Sequence, residues 1–244
     1  MNNPPLSDLP IPERVLIVLA HPDDAEFFAG GTLAKWAGEG AYLMLCLVTS
    51  GNRGSGDLML TNFAEIAAMR EKETKAAAER LGIKEVIFLR HDDGEVYPTL
   101  QLRRDIVRMI RLKRPDAVMS SDPLLRWRFH NRLNHPDHCA VAEAVQAAVY
   151  PAARDHLNFL ELYRDEGLAP HKVRWLYMSL ATDPNYGVET TDYLETKIAA
   201  LKFHASQVGD PDEFEKRMRE RIDVELTGTG TPRYSEAFRV IQLD

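Results

Sequence analysis

The sequence predicts an α/β fold: one domain on a mostly parallel sheet, with helices between the strands. Three observations carry that prediction. Short, continuous apolar runs of strand length recur along the chain, as strands covered on both faces require. Stretches of helical pattern separate the runs, so crossovers rather than hairpins join the strands. No repeat, low-complexity tract or linker interrupts the first 150 residues, and a length of 244 suits one large domain. The C-terminal third is expected to pack onto this domain as an extension.

Val15-Leu16-Ile17-Val18-Leu19-Ala20 is the first strand. Residues 29–39 read as a helix with Leu33, Trp36 and Ala37 on one face. Tyr42 to Val48 is the second strand, and Thr49 to Asp57, with Gly51, Asn52, Gly54 and Gly56, is a loop. Residues 61–81, rich in Ala, Glu, Lys and Arg, form a long helix stopped at Gly82. Glu85 to Leu89 is the third strand, 99–113 a helix, and Ala117 to Ser120 a short fourth strand. Residues 121–136, with Pro123, Trp127, Phe129 and Asn131, lack periodicity and read as a loop. Residues 137–150 form a helix with Val141, Ala144, Val145 and Ala148 on one side. Val173 to Leu180 is a fifth strand, and 190–204 and 211–224 read as helices.

Composition excludes several classes. Hydrophobic residues make up 45% and charged residues 27%, ordinary for a soluble globular protein. Two cysteines, Cys46 and Cys139, both in apolar contexts, rule out a disulfide scaffold and fit a reducing compartment. The net charge of −7 argues against nucleic acid as a partner. No apolar run reaches the ~18 residues of a membrane span, and Met1 to Glu13, with Pro4, Pro5, Pro10 and Pro12, does not read as a signal peptide. A cytoplasmic protein with no membrane partner is the expectation.

In parallel sheets, ligands bind outside the carboxyl ends of the strands. Directly after the first strand comes His21-Pro22-Asp23-Asp24-Ala25-Glu26. Asp23 or Asp24 could simply cap the next helix. A cap explains one carboxylate, but not a histidine and two adjacent carboxylates. His and Asp are ligands for first-row metals, and Pro22 bends the chain between them. His21 and Asp24 then point at one cation, leaving Asp23 free for proton transfer. Asn134-His135-Pro136-Asp137-His138 supplies a further ligand at a second loop-to-helix junction, with His135 and His138 on one face and Asp137 placed as an N-cap. The remaining histidines, His91, His130, His156, His171 and His204, read as surface or internally satisfied residues, and Cys139 as a small core residue.

Two histidines and a carboxylate with an open position suit zinc hydrolysis or a non-haem iron oxygenase. Asp23 as a base for metal-bound water and His135 as an acid or carbonyl polariser favour hydrolysis. A third alternative is an inactive relative that only holds a sugar. No G-x-G-x-x-G follows the first strand, which disfavours a nucleotide-binding dehydrogenase.

His21-Pro22-Asp23-Asp24-Ala25-Glu26, followed by Gly30-Gly31-Thr32, resembles the opening motif of the LmbE/PIG-L deacetylases, and His135-Pro136-Asp137-His138 resembles their second signature. Thr49-Ser50-Gly51, Arg70-Glu71-Lys72-Glu73, Leu81-Gly82, Asp93-Gly94 and Lys202-Phe203-His204-Ala205-Ser206-Gln207 extend the resemblance over roughly residues 14–207. It implies a single Rossmann-like three-layer domain over residues 1–244, with that span as its core. It implies one divalent metal per chain, usually Zn2+ although Fe2+ also suits, and hydrolysis of the acetyl group from an N-acetylglucosamine moiety. By the same resemblance His21, Asp24 and His138 bind the metal, and Asp23 is the general base. His135, oriented by Asp137, stabilises the oxyanion or acts as acid. Arg70 and Asp93 become candidates for binding the sugar. Glu26 stands one place later than the Glu of many members, and its role stays open. Trp127, Phe129 and the arginines Arg53, Arg126, Arg128 and Arg132 border the predicted site as candidates for aglycone contacts. The expected partner is a small, soluble N-acetylated amino sugar, and the sequence leaves room for a homo-oligomer.

Overall fold

The computed structural model describes residues 9–128, 132–221, 225–226 and 232–243. Its elements, in order, are β1 (Arg14–Leu19), α1 (Asp24–Gly38), β2 (Tyr42–Thr49), α2 (Phe63–Leu81), β3 (Glu85–His91), α3 (Leu100–Lys113), β4 (Ala117–Ser121), β5 (Trp127–Arg128), β6 (Arg132–Leu133), α4 (Pro136–Ala147), α5 (Leu160–Arg164), β7 (Trp175–Ser179), β8 (Tyr186–Glu189), α6 (Leu194–Leu201), α7 (Ala205–Val208), α8 (Pro211–Arg221), β9 (Glu225–Leu226), β10 (Pro232–Arg233) and β11 (Ser235–Gln242). The central sheet runs β3-β2-β1-β4-β7-β11-β8. Neighbours from β3 to β7 pair in parallel, and β11 is antiparallel to both β7 and β8.

The apolar runs are strands buried on both faces, as their composition requires. Along β1, Val15, Ile17 and Leu19 point into a core with α1, α2 and α6. Leu16 and Val18 point the other way, into a core with α3 and α4. Helix, sheet and helix thus form the three layers of a single-domain α/β fold. Among the described residues, no helix is long and apolar enough to cross a membrane.

The helix ends follow local chemistry. The Asn62 side chain accepts from Ala64 N–H and Glu65 N–H at the start of α2, and Thr99 Oγ1 from Leu102 N–H at the start of α3. Gly82 closes α2 at φ 81°, in the left-handed region that glycine tolerates best.

Several boundaries differ from the sequence reading. The first helix begins at Asp24 rather than 29, because Asp23 turns the chain sharply and the helix continues through Gly30 and Gly31. The segment 121–136 holds the small hairpin β5–β6 before α4 begins at Pro136. Helix α4 ends at Ala147, ahead of Pro151, whose ring and missing N–H do not continue a helix. The expected helix 190–204 resolves into a short 3-10 turn and α6, which ends at Leu201, before α7 begins at Ala205. Strand β11 was not foreseen: its burial alternates, so it offers no continuous apolar run. It pairs within the sheet, instead of packing on the domain as an extension. Phe129, His130 and Asn131, and residues 222–224 of the expected last helix, lie outside the described residues.

Gly82 supplies a test of this frame. A Cβ there would lie 2.7 Å from Ala37 Cβ, at φ +81°. Gly82→Ala should lower unfolding free energy by about 1–3 kcal/mol in urea denaturation. Gly82 leads into the amino end of β3, away from the carboxyl ends of the strands, so ligand binding there should be unchanged.

Candidate metal and catalytic site

The parallel strands reverse their winding between β1 and β4, and the crevice at their carboxyl ends is the place where such sheets take ligands. Residues 20–24 leave β1 there, 92–94 leave β3, and the chain after β4 returns as the Asn134–His138 junction at the start of α4. Two motifs more than a hundred residues apart in sequence therefore meet.

Asp23 makes the corner into α1 at φ 84° and ψ −22°, a conformation that non-glycine residues seldom adopt. The turn sends the two adjacent carboxylates in different directions. Asp24 Oδ2 accepts from His21 N–H at 2.9 Å and lies 3.6 Å from His21 Nδ1. Asp24 Oδ1 is 3.1 Å from His138 Nε2. Asp23 Oδ2 faces Arg70 Nη2 at 3.4 Å.

Hydrogen bonds assign the tautomers. His138 Nδ1 is 3.0 Å from Asn134 Oδ1, and the Asn134 amide is oriented by donating to Leu125 O at 2.8 Å. That puts the proton on Nδ1 of His138 and the lone pair on Nε2. His21 Nε2 lies 3.2 Å from both Asp137 Oδ2 and Asp93 Oδ1, which puts its proton there and its lone pair on Nδ1. The two bare nitrogens face each other at 3.2 Å beside Asp24. Two lone pairs at that distance call for a positive centre between them. A divalent ion fits the donor set of two imidazoles and a carboxylate, each imidazole backed by an outer hydrogen-bond partner. A second grouping, His21, Asp93, His135 and Asp137, also gathers ligand atoms. It uses the His21 nitrogen that two carboxylates already hold, so the first grouping fits a metal better.

The field of the site points the same way. Burial alone would lower the His21 pKa, but Asp137, Asp24 and Asp93 override it and push it up to about 12: the site draws positive charge to the ring, as a second proton on Nδ1 or as a cation in that proton's place. Burial likewise opposes the ionised form of Asp24, yet His138 and His21 hold that carboxyl below the usual carboxylate range. Asp23 goes the other way: burial and the adjacent Asp24 charge push it up to about 7, against the pull of Arg70.

His135 caps α4, its Nδ1 accepting the Asp137 N–H at 3.3 Å. The ring proton is then on Nε2, 4.0 Å from Asp93 Oδ1. Burial and the nearby His21 lower the His135 pKa, so the ring is neutral at neutral pH. The expected roles of Asp137 change. It is not the helix cap, and its carboxylate is 3.9 Å from His135 Nδ1. That carboxylate accepts from Gly94 N–H at 2.8 Å and faces His21 instead. The Asp137 backbone, not its side chain, orients His135.

Arg70 and Asp93 also sit deeper than a sugar clamp would. Arg70 is only 4% exposed and donates to Gly51 O at 3.2 Å, Pro22 O at 3.0 Å and Asp23. A Cβ on Gly51 or Gly54 would strike Arg70 Nη1 at 2.2 or 2.3 Å, which explains both glycines. Asp93 divides its oxygens between His21 and the side of Arg70, at 3.2 and 3.9 Å. Both still line a cavity of about 1300 Å3 that opens over His21, Asp24 and His138. Of the outlying candidates, Arg132 lines that cavity, while Arg53 is engaged by Glu95 and Asp92, and Trp127 is exposed and does not line it.

Sequence reasoning missed three participants. His204, read as a surface or satisfied residue, is fully buried with Nε2 3.4 Å from Glu26 Oε2. Burial would lower its pKa, but Glu26 raises it. The motif around His204 was the available signal. Lys197 and Glu236 line the far wall of the cavity, and no local pattern marked them.

Comparison with known proteins agrees with this geometry. A family model described as PIG-L, GlcNAc-PI de-N-acetylase, matches residues 16–149. The chain is 33% identical over 205 residues to a diacetylchitobiose deacetylase of Thermococcus kodakarensis, covering 84% of this chain and 73% of the relative. It is 28% identical to a probable N-acetyl-alpha-D-glucosaminyl L-malate deacetylase 2 of Bacillus anthracis, covering 80% and 81%. The solved N,N'-diacetylchitobiose deacetylase of Pyrococcus horikoshii superposes with a TM-score of 0.83 at 30% identity, covering 95% of this chain and 84% of that one. With more than half its length matched by the family model, and both halves of the site inside that match, the chain belongs to the PIG-L family of de-N-acetylases.

Proposed function

We propose that this chain is a zinc-dependent N-deacetylase acting on 2-acetamido sugars carried on small, soluble conjugates. The observation that carries the reading is the pair of imidazole nitrogens, His21 Nδ1 and His138 Nε2, facing each other beside Asp24 while Asp23 stays outside the grouping. His21, Asp24 and His138 are the proposed ligands. When bound there, the ion supplies Lewis-acid polarisation of the acyl oxygen and a water of lowered pKa.

The side chains supply the rest. Asp23, ionised, takes the proton of the attacking water, and a pKa near neutrality suits a base working at neutral pH. Arg70 holds that carboxylate and the Pro22 carbonyl, so the base keeps its direction. Neutral His135 donates its Nε2–H to the acyl oxygen as negative charge develops, the kind of preorganised donor worth about 2.7–4 kcal/mol in other acyl-transfer sites. Because the lowered pKa of His135 disfavours its carrying a spare proton, Asp23 is the proposed donor to the leaving amine.

The substrate class is supported by the names of the relatives, which share an N-acetylated glucosamine unit and differ in what it is attached to. The cavity supports it too: at about 1300 Å3 it exceeds the ~300–1,000 Å3 of ordinary small-ligand sites, leaving room for a group beyond the sugar.

Metal analysis tests the ligands. The protein should bind one zinc ion per chain, and His138→Ala or Asp24→Asn should each weaken zinc by well over the 10–100-fold typical of losing an outer-shell partner. Unchanged affinity in both would overturn the assignment.

Asp23→Asn should keep its zinc and lose about 10²–10⁴-fold in turnover. Because the base acts ionised, kcat/KM should rise with pH through an acid limb centred at or below about 7, since a bound cation adds a positive neighbour that draws the carboxyl down. A near wild-type Asp23→Asn would remove the base from the mechanism.

Acetate release should be abolished by chelator, restored by zinc, and faster from small N-acetylglucosaminides, diacetylchitobiose included, than from acetyl-lysine peptides or long chitin oligomers. A preference for the peptides would reject the sugar assignment and leave the hydrolytic chemistry standing.

A further inference from the structure

We infer that Glu236, on the antiparallel strand β11, is a positioning residue for the metal site: with Lys197 it is spliced into α1 and sets the turn that presents Asp24 and Phe28. In an uninterrupted helix the N–H groups of Gly31 and Thr32 belong to the carbonyls of Phe27 and Phe28. Here Gly31 N–H donates to Glu236 Oε1 at 3.0 Å and Thr32 N–H to Glu236 Oε2 at 2.7 Å. Phe27 O accepts from Lys197 Nζ at 3.0 Å, and the same ammonium donates to Glu236 Oε1 at 2.7 Å. One buried ion pair thus occupies both the donor and the acceptor side of a single helical turn.

The sequence is shaped around the splice. A Cβ at Gly31 would lie 2.7 Å from Thr190 Cβ, and one at Gly30 would lie 3.0 Å from Lys197 Cγ. Two glycines in a helix interior are unfavourable on their own, and close approach of another chain segment is the reason they are used. Glu236 is 8% exposed, so its charge is held by three of these hydrogen bonds, from Gly31, Thr32 and Lys197, rather than by water. A buried pair of this kind specifies geometry more than it adds stability.

The turn on the amino side of the splice is the one that bears the site. Asp24 begins it, and the Phe28 ring stands edge-on to His138 with centroids 5.4 Å apart. A side chain entering the helix ladder fixes the direction of the turn beyond it. Without Glu236, the Gly31 and Thr32 N–H groups lose their carboxylate partner, and the Asp24–Phe28 turn loses the contact that fixes its direction.

The inference rests on the proposed reading of Asp24 and His138 as ligands. The test measures zinc affinity of the full chain by competition with a fluorescent chelator, alongside the melting temperature of the metal-free protein. Glu236→Ala should bind zinc at least tenfold more weakly, Lys197→Met should weaken it less, and the double variant should be no worse than Glu236→Ala alone. Phe238→Leu, a core change on the same strand that removes neither partner, should lower the melting temperature and keep the zinc affinity. Wild-type zinc affinity in folded Glu236→Ala overturns the inference, as does an equal loss in Phe238→Leu, or a raised KM with zinc binding intact. If Glu236→Ala does not fold, Glu236→Gln carries the same criteria, because it keeps the size while turning an amide donor toward a helix N–H. A wild-type protein that takes up no zinc would overturn the metal reading itself, before any variant is made.

Discussion

Buried negative charge is the constraint around which the site is arranged. Asp24, Asp93 and Asp137 are each at least nine-tenths buried, and all three lie against His21. A carboxylate taken out of water is tolerated only when it is paired and hydrogen-bonded. Asp137 has the Gly94 N–H, Asp24 the His21 N–H, and Asp93 stands near Arg70. These partners satisfy individual oxygens, but the three acids share His21 and have only His138 and Arg70 beside it to offset their charge. A cation between His21 and His138 relieves that shortage at the point where two lone pairs already converge. The same charge separates the roles of two adjacent aspartates: Asp24 is held ionised by its histidines, and its charge then disfavours ionisation of Asp23.

Holding this arrangement requires support behind the donors. The functional side chains are carried on turns, and buried polar groups fix those turns. Arg70 ties the Pro22–Asp23 corner to the Gly51 carbonyl, which locks the loop after β2 to the loop after β1. Asn134 fixes the His138 ring, and the first turn of α4 fixes His135 through its own backbone. Glu26 and His204, both fully buried, bring the segment before α7 under the first turn of α1, and Glu73 accepts from Ser206 N–H and Oγ at the start of α7. The C-terminal part of the chain thus reaches the site from two sides.

The sequence made much of this legible, for physical reasons. Strands buried on both faces must be apolar without interruption, so β1, β2 and β4 were visible as runs. Donor residues at the exits of such strands are conspicuous because nothing in packing calls for them, and His21, Asp24, His138, Asp23 and His135 do meet around one crevice. Orientation was less legible. That His135 is held by a backbone N–H, and that Asp137 turns to His21, depends on helix-end geometry that residue type does not encode. Arg70 offers the same lesson: a charged residue on an otherwise charged helix gave no sign that it would be buried against two carbonyls.

What stayed hidden shares one property, the distance along the chain over which it acts. Glu236 meets Gly31 across 205 positions, and a short-window pattern carries no record of such a pairing. Gly30-Gly31-Thr32 shows half of it: two glycines inside a helix are an anomaly that local propensity does not explain, and an anomaly of that kind implies something packed closely against the backbone. The other half is a lone acid on a strand whose alternating burial leaves no continuous apolar run to mark it. Residues that ligate or react must share a small space, so they tend to cluster at strand ends. Residues that aim them are free to come from anywhere the fold brings back to that space, and here the last strand in the sheet is the element that does so.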